Sequence, residues 1–263
     1  MLLGIDRLAK EKFKPVRGMK VGLLTNFSCC DSDLQPTISI FEKSKEMSLK
    51  AIFAPEHGLF TALQDQVRAP DESYHDRHKI HSMYGPRRKP QLKILKSLDA
   101  IVIDLPDIGT RYYTFLWSAM LMIEAAAKAQ KRIIILDRPN PLGGTTVQGP
   151  MIDPGFESFV GLYSVPVRHG MTLAELCNML NQLYELHADI QTITIRGWKR
   201  NTYSDEQNIP WTMPSPNMPS PATALVYPGM CLLEGTNVSE GRGTTKPFEI
   251  LGAPWIDPEE LNI

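Results

Sequence analysis

Cysteine is scarce and badly spaced for cross-linking. Of the four present, Cys29 and Cys30 are adjacent while Cys177 and Cys231 lie far away, which fits neither a disulfide framework nor a zinc set, so reduced thiols are expected. Long apolar runs are also missing: stretches such as Ile133–Leu136 are far too short to span a bilayer, and no membrane partner is expected. The first twenty residues lack a basic start followed by an apolar stretch. The chain as written is therefore expected in the cytoplasm, or in the periplasm or outside the cell if its N-terminus is incomplete. An excess of charge is absent too. The formal net charge is −1, so no global positive field exists to hold nucleic acid, and Arg87-Arg88-Lys89 reads as a solvated basic loop. No internal repeat occurs. The first strand-like run leads into Thr25-Asn26-Phe27-Ser28 rather than a Gly-x-Gly-x-x-Gly turn, which argues against a nucleotide-dependent oxidoreductase.

What the chain does have is 263 residues with an ordinary share of apolar (43%) and charged (22%) residues, enough for one large domain or one domain and part of another. Its first 140 residues alternate in character. Buried-strand patterns at Lys20–Leu24, Leu49–Ala54, Ala100–Ile103 and Arg132–Leu136 are separated by helical patterns at Thr37–Lys45, Gln91–Leu98 and Thr114–Gln130. Strand and helix in turn predict βαβ units, hence an α/β fold with a Rossmann-like, mostly parallel sheet and helices on both faces. Beyond Gly143, Thr172–Leu186 reads as an amphipathic helix with Thr172 and Glu175 as a capping pair, and Gln191–Ile195 alternates like a strand. Pro210–Pro221 holds five prolines in twelve residues, a rigid turn-rich segment. The expected division is residues 1–145 as the Rossmann-like part of a catalytic domain, 146–240 as its remainder with ligand loops, and 241–263 as the start of a small, truncated α+β C-terminal part.

Three of the strand-like runs end in charged, turn-forming clusters: Pro55-Glu56-His57-Gly58, Asp104-Leu105-Pro106-Asp107 and Asp137-Arg138-Pro139-Asn140-Pro141. Ligands of open parallel sheets sit at the carboxyl ends of the strands, so these clusters predict one shared polar cleft. Glu56, fenced by Phe53 and Pro55, is the first candidate for a general acid, a role that needs a carboxyl kept protonated by burial or a like charge. Asp104 and Asp107 are candidate partners as base or nucleophile, and the proline between them keeps both on a cleft rim. Arg111 either pairs with an aspartate or forks onto a substrate carboxylate. His169 precedes a helix N-terminus and suits an anion or a sugar hydroxyl. The stretch from Glu234 to Thr245 is rich in glycine, hydroxyl and amide and suits a ligand loop. His75, His78 and His81 recur every third residue without carboxylate or cysteine partner spacing, and neither a metal nor another cofactor is expected.

Together these strings resemble one family. Val21-Gly22-Leu23-Leu24-Thr25-Asn26, Phe53-Ala54-Pro55-Glu56-His57-Gly58, Asp107-Ile108-Gly109-Thr110-Arg111-Tyr112-Tyr113-Thr114, Leu136-Asp137-Arg138-Pro139-Asn140-Pro141, Pro166-Val167-Arg168-His169-Gly170 and Glu234-Gly235-Thr236-Asn237 through Arg242-Gly243-Thr244-Thr245 follow in the order seen in the NamZ-like exo-β-N-acetylmuramidases, the glycoside hydrolase family also known as DUF1343. The resemblance implies release of N-acetylmuramic acid from the non-reducing end of peptidoglycan fragments, in cell-wall recycling, with the proposed catalytic glutamate mapping onto Glu56. Candidate substrate-binding residues are Asn26, His57, Arg111, Tyr112, Arg138, Arg168, His169, Asn237, Glu240 and Arg242, with Arg111, Arg168 and His169 expected to grip the lactyl carboxylate. The sequence departs from the family after Gly58, where Leu59-Phe60-Thr61-Ala62-Leu63 replaces a glycine-rich stretch, and at Pro106, where glutamine is usual. The altered stretch after Gly58, together with a C-terminal part that reads as only partly built, motivates an alternative, a catalytically inactive sugar-binding remnant. A metal-dependent hydrolase using Glu56, His57 and Asp107 is a further one.

Overall fold

The computed structural model describes residues 1–65, 67, 72–75 and 77–261. Strand β1 (Lys20–Leu24) lies mid-sheet between β2 (Ser48–Ala54) and β5 (Ala100–Ile103), parallel to both. Beyond β2 come β4 (His78–Ser82), also parallel, and the antiparallel edge strand β3 (Glu72–Tyr74). On the other side β6 (Arg132–Leu136) and β7 (Ile190–Ile193) continue in parallel, giving the order β3-β4-β2-β1-β5-β6-β7. The chain runs outward from β1 through β2 to β4, then returns to start again at β5. The strand order therefore reverses between β1 and β5, and in such sheets the crevice outside that point is where ligands lodge.

The expected α/β architecture is the one observed, because four of the strands are apolar on both faces. Ile101, Ile103, Ile133 and Ile135 pack with α3 (Leu92–Lys96), α4 (Phe115–Lys128) and α5 (Leu173–Leu183). Ala100, Val102, Ile134 and Leu136 pack with α1 (Gly4–Lys10) and α2 (Thr37–Lys43) on the opposite face. Helix α4 is buried along nearly its whole length, so its first turn is a rigid fixture. Thr172 and Glu175 form the expected capping box of α5.

Helices α1 and α6 (Pro221–Met230), like the β3–β4 hairpin, escape the sequence patterns. Helix α1 is short, but Leu3, Ile5 and Leu8 are buried. Helix α6 begins as the proline-rich segment ends. Ser220 caps it and Pro221 takes the first position, where a missing N–H costs nothing. His75 and His78 lie at the edge hairpin, both within 3.6 Å of Glu42. Among the described residues no group of three or more His, Cys, Asp or Glu is arranged to hold a metal, and no helix is long and apolar enough to cross a membrane.

Candidate active site

After β2 the chain turns sharply. Gly58 N–H donates to Pro55 O at 3.1 Å, and His57 and Gly58 both take left-handed backbone, φ 68° and 73°. Glycine does so freely, whereas histidine needs support. His57 gets it from Leu63 O, 2.7 Å from Nδ1, and from the ring of Phe115 at 6.3 Å. A carbonyl can only accept, so Nδ1 carries the proton and Nε2 is left as the ring's other polar atom.

This turn draws Glu56 inward until it is 6% exposed, and Thr114, which opens α4, donates its hydroxyl to Glu56 Oε2 at 2.6 Å. Both line a cleft of about 410 Å³, within the range of small-molecule sites. Its walls are strongly aromatic. Tyr227 meets Tyr113 and Phe248 edge-on at 6.4 and 4.8 Å, and Tyr84 lies 5.8 Å from Phe159. Ser158, Ser215 and Asn217 add hydroxyl and amide groups. Burial pushes the Tyr113 phenol well above its ordinary value, with the charges of Glu56 and Asp107 adding to the effect, so it remains a proton-bearing donor. Its OH faces Ser215 without a well-formed hydrogen bond.

Arg242 also lines the cleft. Its Nη1 is 2.8 Å from Asp65, its Nη2 4.0 Å from Glu234, and its Nε binds Glu240. Burial raises the Glu234 carboxyl, opposed by Arg242.

The family model for the N-terminal domain of exo-β-N-acetylmuramidase NamZ matches residues 21–222, which contain Glu56 and most of this cleft. The chain belongs to the NamZ family. The model for the NamZ C-terminal domain matches residues 225–262, including Tyr227, Glu234, Arg242 and Phe248. The chain is 40% identical to the peptidoglycan β-N-acetylmuramidase NamZ of Bacillus subtilis, in an alignment covering 98% of this chain and 63% of that protein. It thus spans less than two thirds of that relative's length. Two crystal structures of DUF1343 family proteins from Bacteroides fragilis share the fold. One has a TM-score of 0.91 at 35% identity, covering 99% of this chain and 67% of the other. The second has a TM-score of 0.81 at 31% identity, covering 96% and 67%.

In this NamZ-family chain, Glu56, His57, Tyr112 and Arg242 are the sequence-predicted site residues that line the cleft. The others lie elsewhere. Asp104 is wholly buried in an ion pair with Arg138, at 2.6 and 2.9 Å, and accepts a further bond from Thr37 at 2.5 Å. That pair ties the loops after β5 and β6 together. Asp107 accepts from Gly109 N–H at 3.0 Å, and its Oδ2 stands 3.1 Å from His169 Nε2, close enough to pair but not aligned as a hydrogen bond.

Arg111 gives Nη1 to the carbonyls of Pro150 and Val165, both at 2.7 Å, and burial lowers its pKa. Arg168 binds Leu142 O at 2.5 Å and Tyr203 OH at 3.1 Å. These guanidinium groups brace loops, because buried carbonyls at their tips need donors. Asn26 turns its Oδ1 onto Ser28 and leaves Nδ2 buried without a partner. Glu240 supports Arg242, and Asn237 is exposed.

Arg88, Tyr113, Thr114, Ser215, Asn217 and Tyr227 line the cleft without having been singled out as site residues. The basic run 87–89 and the rigid segment 210–221 were visible as features, but spacing alone does not show which loops face Glu56. Burial pushes the Cys29 and Cys231 thiols up to about 12, which disfavours the thiolate a nucleophile would need.

Proposed function

We propose that this chain forms the catalytic part of a β-N-acetylmuramidase that removes N-acetylmuramic acid from the non-reducing end of peptidoglycan fragments. The reading is supported by the family and by the name of the Bacillus subtilis relative. The observation that carries it is Glu56, a buried carboxyl held by Thr114 in the wall of a sugar-sized, aromatic-lined cleft. Aromatic faces suit the C–H faces of a pyranose, and hydroxyl and amide groups suit its substituents.

In this mechanism Glu56 gives its proton to the departing glycosidic oxygen as the bond to the anomeric carbon breaks. The electron pair leaves with that oxygen, and positive charge develops on the sugar ring. Asp104 is neutralised by Arg138, and neither Asp104 nor Asp107 lines the cleft, so neither is offered to the anomeric centre there. Asp65 and Glu234 line the cleft but belong to the Arg242 cluster. This favours attack by the substrate's own acetamido oxygen, followed by water.

Turnover of a muramic-acid disaccharide and of an activated aryl muramic-acid glycoside, by wild type and Glu56→Gln, tests the reading. An acid matters most when the leaving group is poor. The disaccharide rate should therefore fall by about 10²–10⁴-fold, and the aryl glycoside rate by much less. Equal rates for the two proteins on the disaccharide would remove Glu56 from this role. Binding without turnover by wild type would leave the sugar-binding remnant.

A further inference from the structure

We propose that Arg88 recognises a carboxylate-bearing substituent on the bound sugar, the lactyl ether that separates N-acetylmuramic acid from N-acetylglucosamine. This deepens the muramidase reading and rests on it. An enzyme selective for muramic acid must meet one negative charge that the plain hexosamine lacks, and an arginine fork is the side chain best matched to a carboxylate.

The supply of such forks is limited by what each guanidinium already does. Arg138 is committed to Asp104, and Arg111 and Arg168 to backbone carbonyls. Among the described residues, two guanidinium groups line the cleft itself, Arg88 and Arg242. Arg242 is surrounded by Asp65, Glu234 and Glu240, so an incoming anion there meets three carboxylates for one cation.

Arg88 is different. Its guanidinium lies 4.3 Å from the ring centre of Phe159 and 5.9 Å from that of Tyr84, and no carboxylate among the described residues lies within 4.0 Å of it. Contact with an aromatic face steadies a planar cation without using its in-plane N–H groups, which leaves the bidentate edge for a ligand. A cation with no carboxylate partner among the described residues, set on an aromatic shelf, is therefore a ready-made seat for a carboxylate beside a sugar ring. Arg88 is also exposed, so its charge acts outward and steers an anionic sugar toward the cleft.

Binding of free N-acetylmuramic acid and of N-acetylglucosamine, measured calorimetrically on wild type, Arg88→Gln and Arg88→Lys, decides the matter. Arg88→Gln should weaken muramic acid by about tenfold or more, as expected for a charge-assisted bidentate pair, and leave the glucosamine within about twofold. Arg88→Lys, which keeps the charge but not the fork, should fall between. Loss of both sugars in parallel, no change in either, or wild type that fails to prefer muramic acid would each overturn the assignment. Turnover read alongside separates the two proposals. Selective binding through Arg88 without hydrolysis sinks the enzyme reading alone, and hydrolysis indifferent to Arg88 sinks this inference alone.

Discussion

Thr114 Oγ1 stands 2.6 Å from Glu56 Oε2, joining the first turn of α4 to the loop that follows β2. Because α4 is buried on nearly every side, the hydroxyl is placed by a rigid element and in turn fixes the carboxyl. Thr114→Val keeps the shape and removes the donor. We expect kcat on a muramic-acid disaccharide to fall about tenfold, equivalent to one hydrogen bond of about 1.4 kcal/mol that strengthens as Glu56 gives up its proton in the transition state, with KM nearly unchanged. Thr114→Ser should restore most of it. A rise in KM at constant kcat would instead make Thr114 a ground-state binding residue.

Asp104 and Arg138 predict the opposite pattern. Their two-point ion pair is sealed between the loops after β5 and β6, with Asp104 fully buried. Asp104→Asn leaves the buried guanidinium without a counter-charge, which should cost about 3–5 kcal/mol in urea unfolding. Activity per folded molecule should change little, since neither residue lines the cleft. A large loss of kcat with stability intact would return Asp104 to the list of reacting groups.

The contrast between Glu56 and Asp104 marks what a sequence can and cannot convey. Both end an apolar strand, and both were expected at the same sheet edge, where the structure places them. The strands themselves were legible to within a residue or two because β1, β2, β5 and β6 are buried on both faces and read as unbroken apolar runs. What the pattern does not carry is which partner reaches each carboxylate. Asp104 meets Arg138 from 34 residues away, and Glu56 meets Thr114 from 58 residues away. Both are consequences of crossovers rather than of local spacing. The same holds for Arg88, whose guanidinium meets the ring of Phe159, a residue in a loop with no periodic signal. Short α1 and the β3–β4 hairpin escaped because neither has enough residues to show a period.

Asp137 supplies a pH dependence. Burial pushes its carboxyl up to about 6, against the opposing hydrogen bonds from Thr172 and Ala174. The folded protein then holds a proton between about pH 4 and 6 that the unfolded chain has already released. Bound protons favour the folded state in that window, so this group's contribution to stability falls as pH rises through it. The slope is at most about 1.4 kcal/mol per pH unit. Unfolding free energies of wild type and Asp137→Asn, measured from pH 4 to 7, should show wild type losing stability relative to the variant up to about pH 6 and a constant difference above it. A constant difference throughout would mean that Asp137 is ionised across the range.

Gly109 takes φ 81°, and a Cβ there would lie 2.5 Å from Asn140 Oδ1 and 2.9 Å from Leu142 Cγ. Neither neighbour can yield easily. Asn140 is wholly buried, accepts from Leu142 N–H at 2.8 Å and donates to Met171 O at 2.9 Å. Gly109→Ala therefore combines left-handed strain with overpacking, and should cost about 2–5 kcal/mol in urea unfolding. Gly18 is the matching control. It has φ 74° with nothing within 4 Å of the added carbon, so Gly18→Ala carries the conformational cost alone, about 1–2 kcal/mol. The excess at Gly109 measures how tightly the loops after β5 and β6 are packed together. Equal costs at the two positions would show that these loops have room to separate, and the bracing of the sheet edge beside Glu56 would have to come from elsewhere.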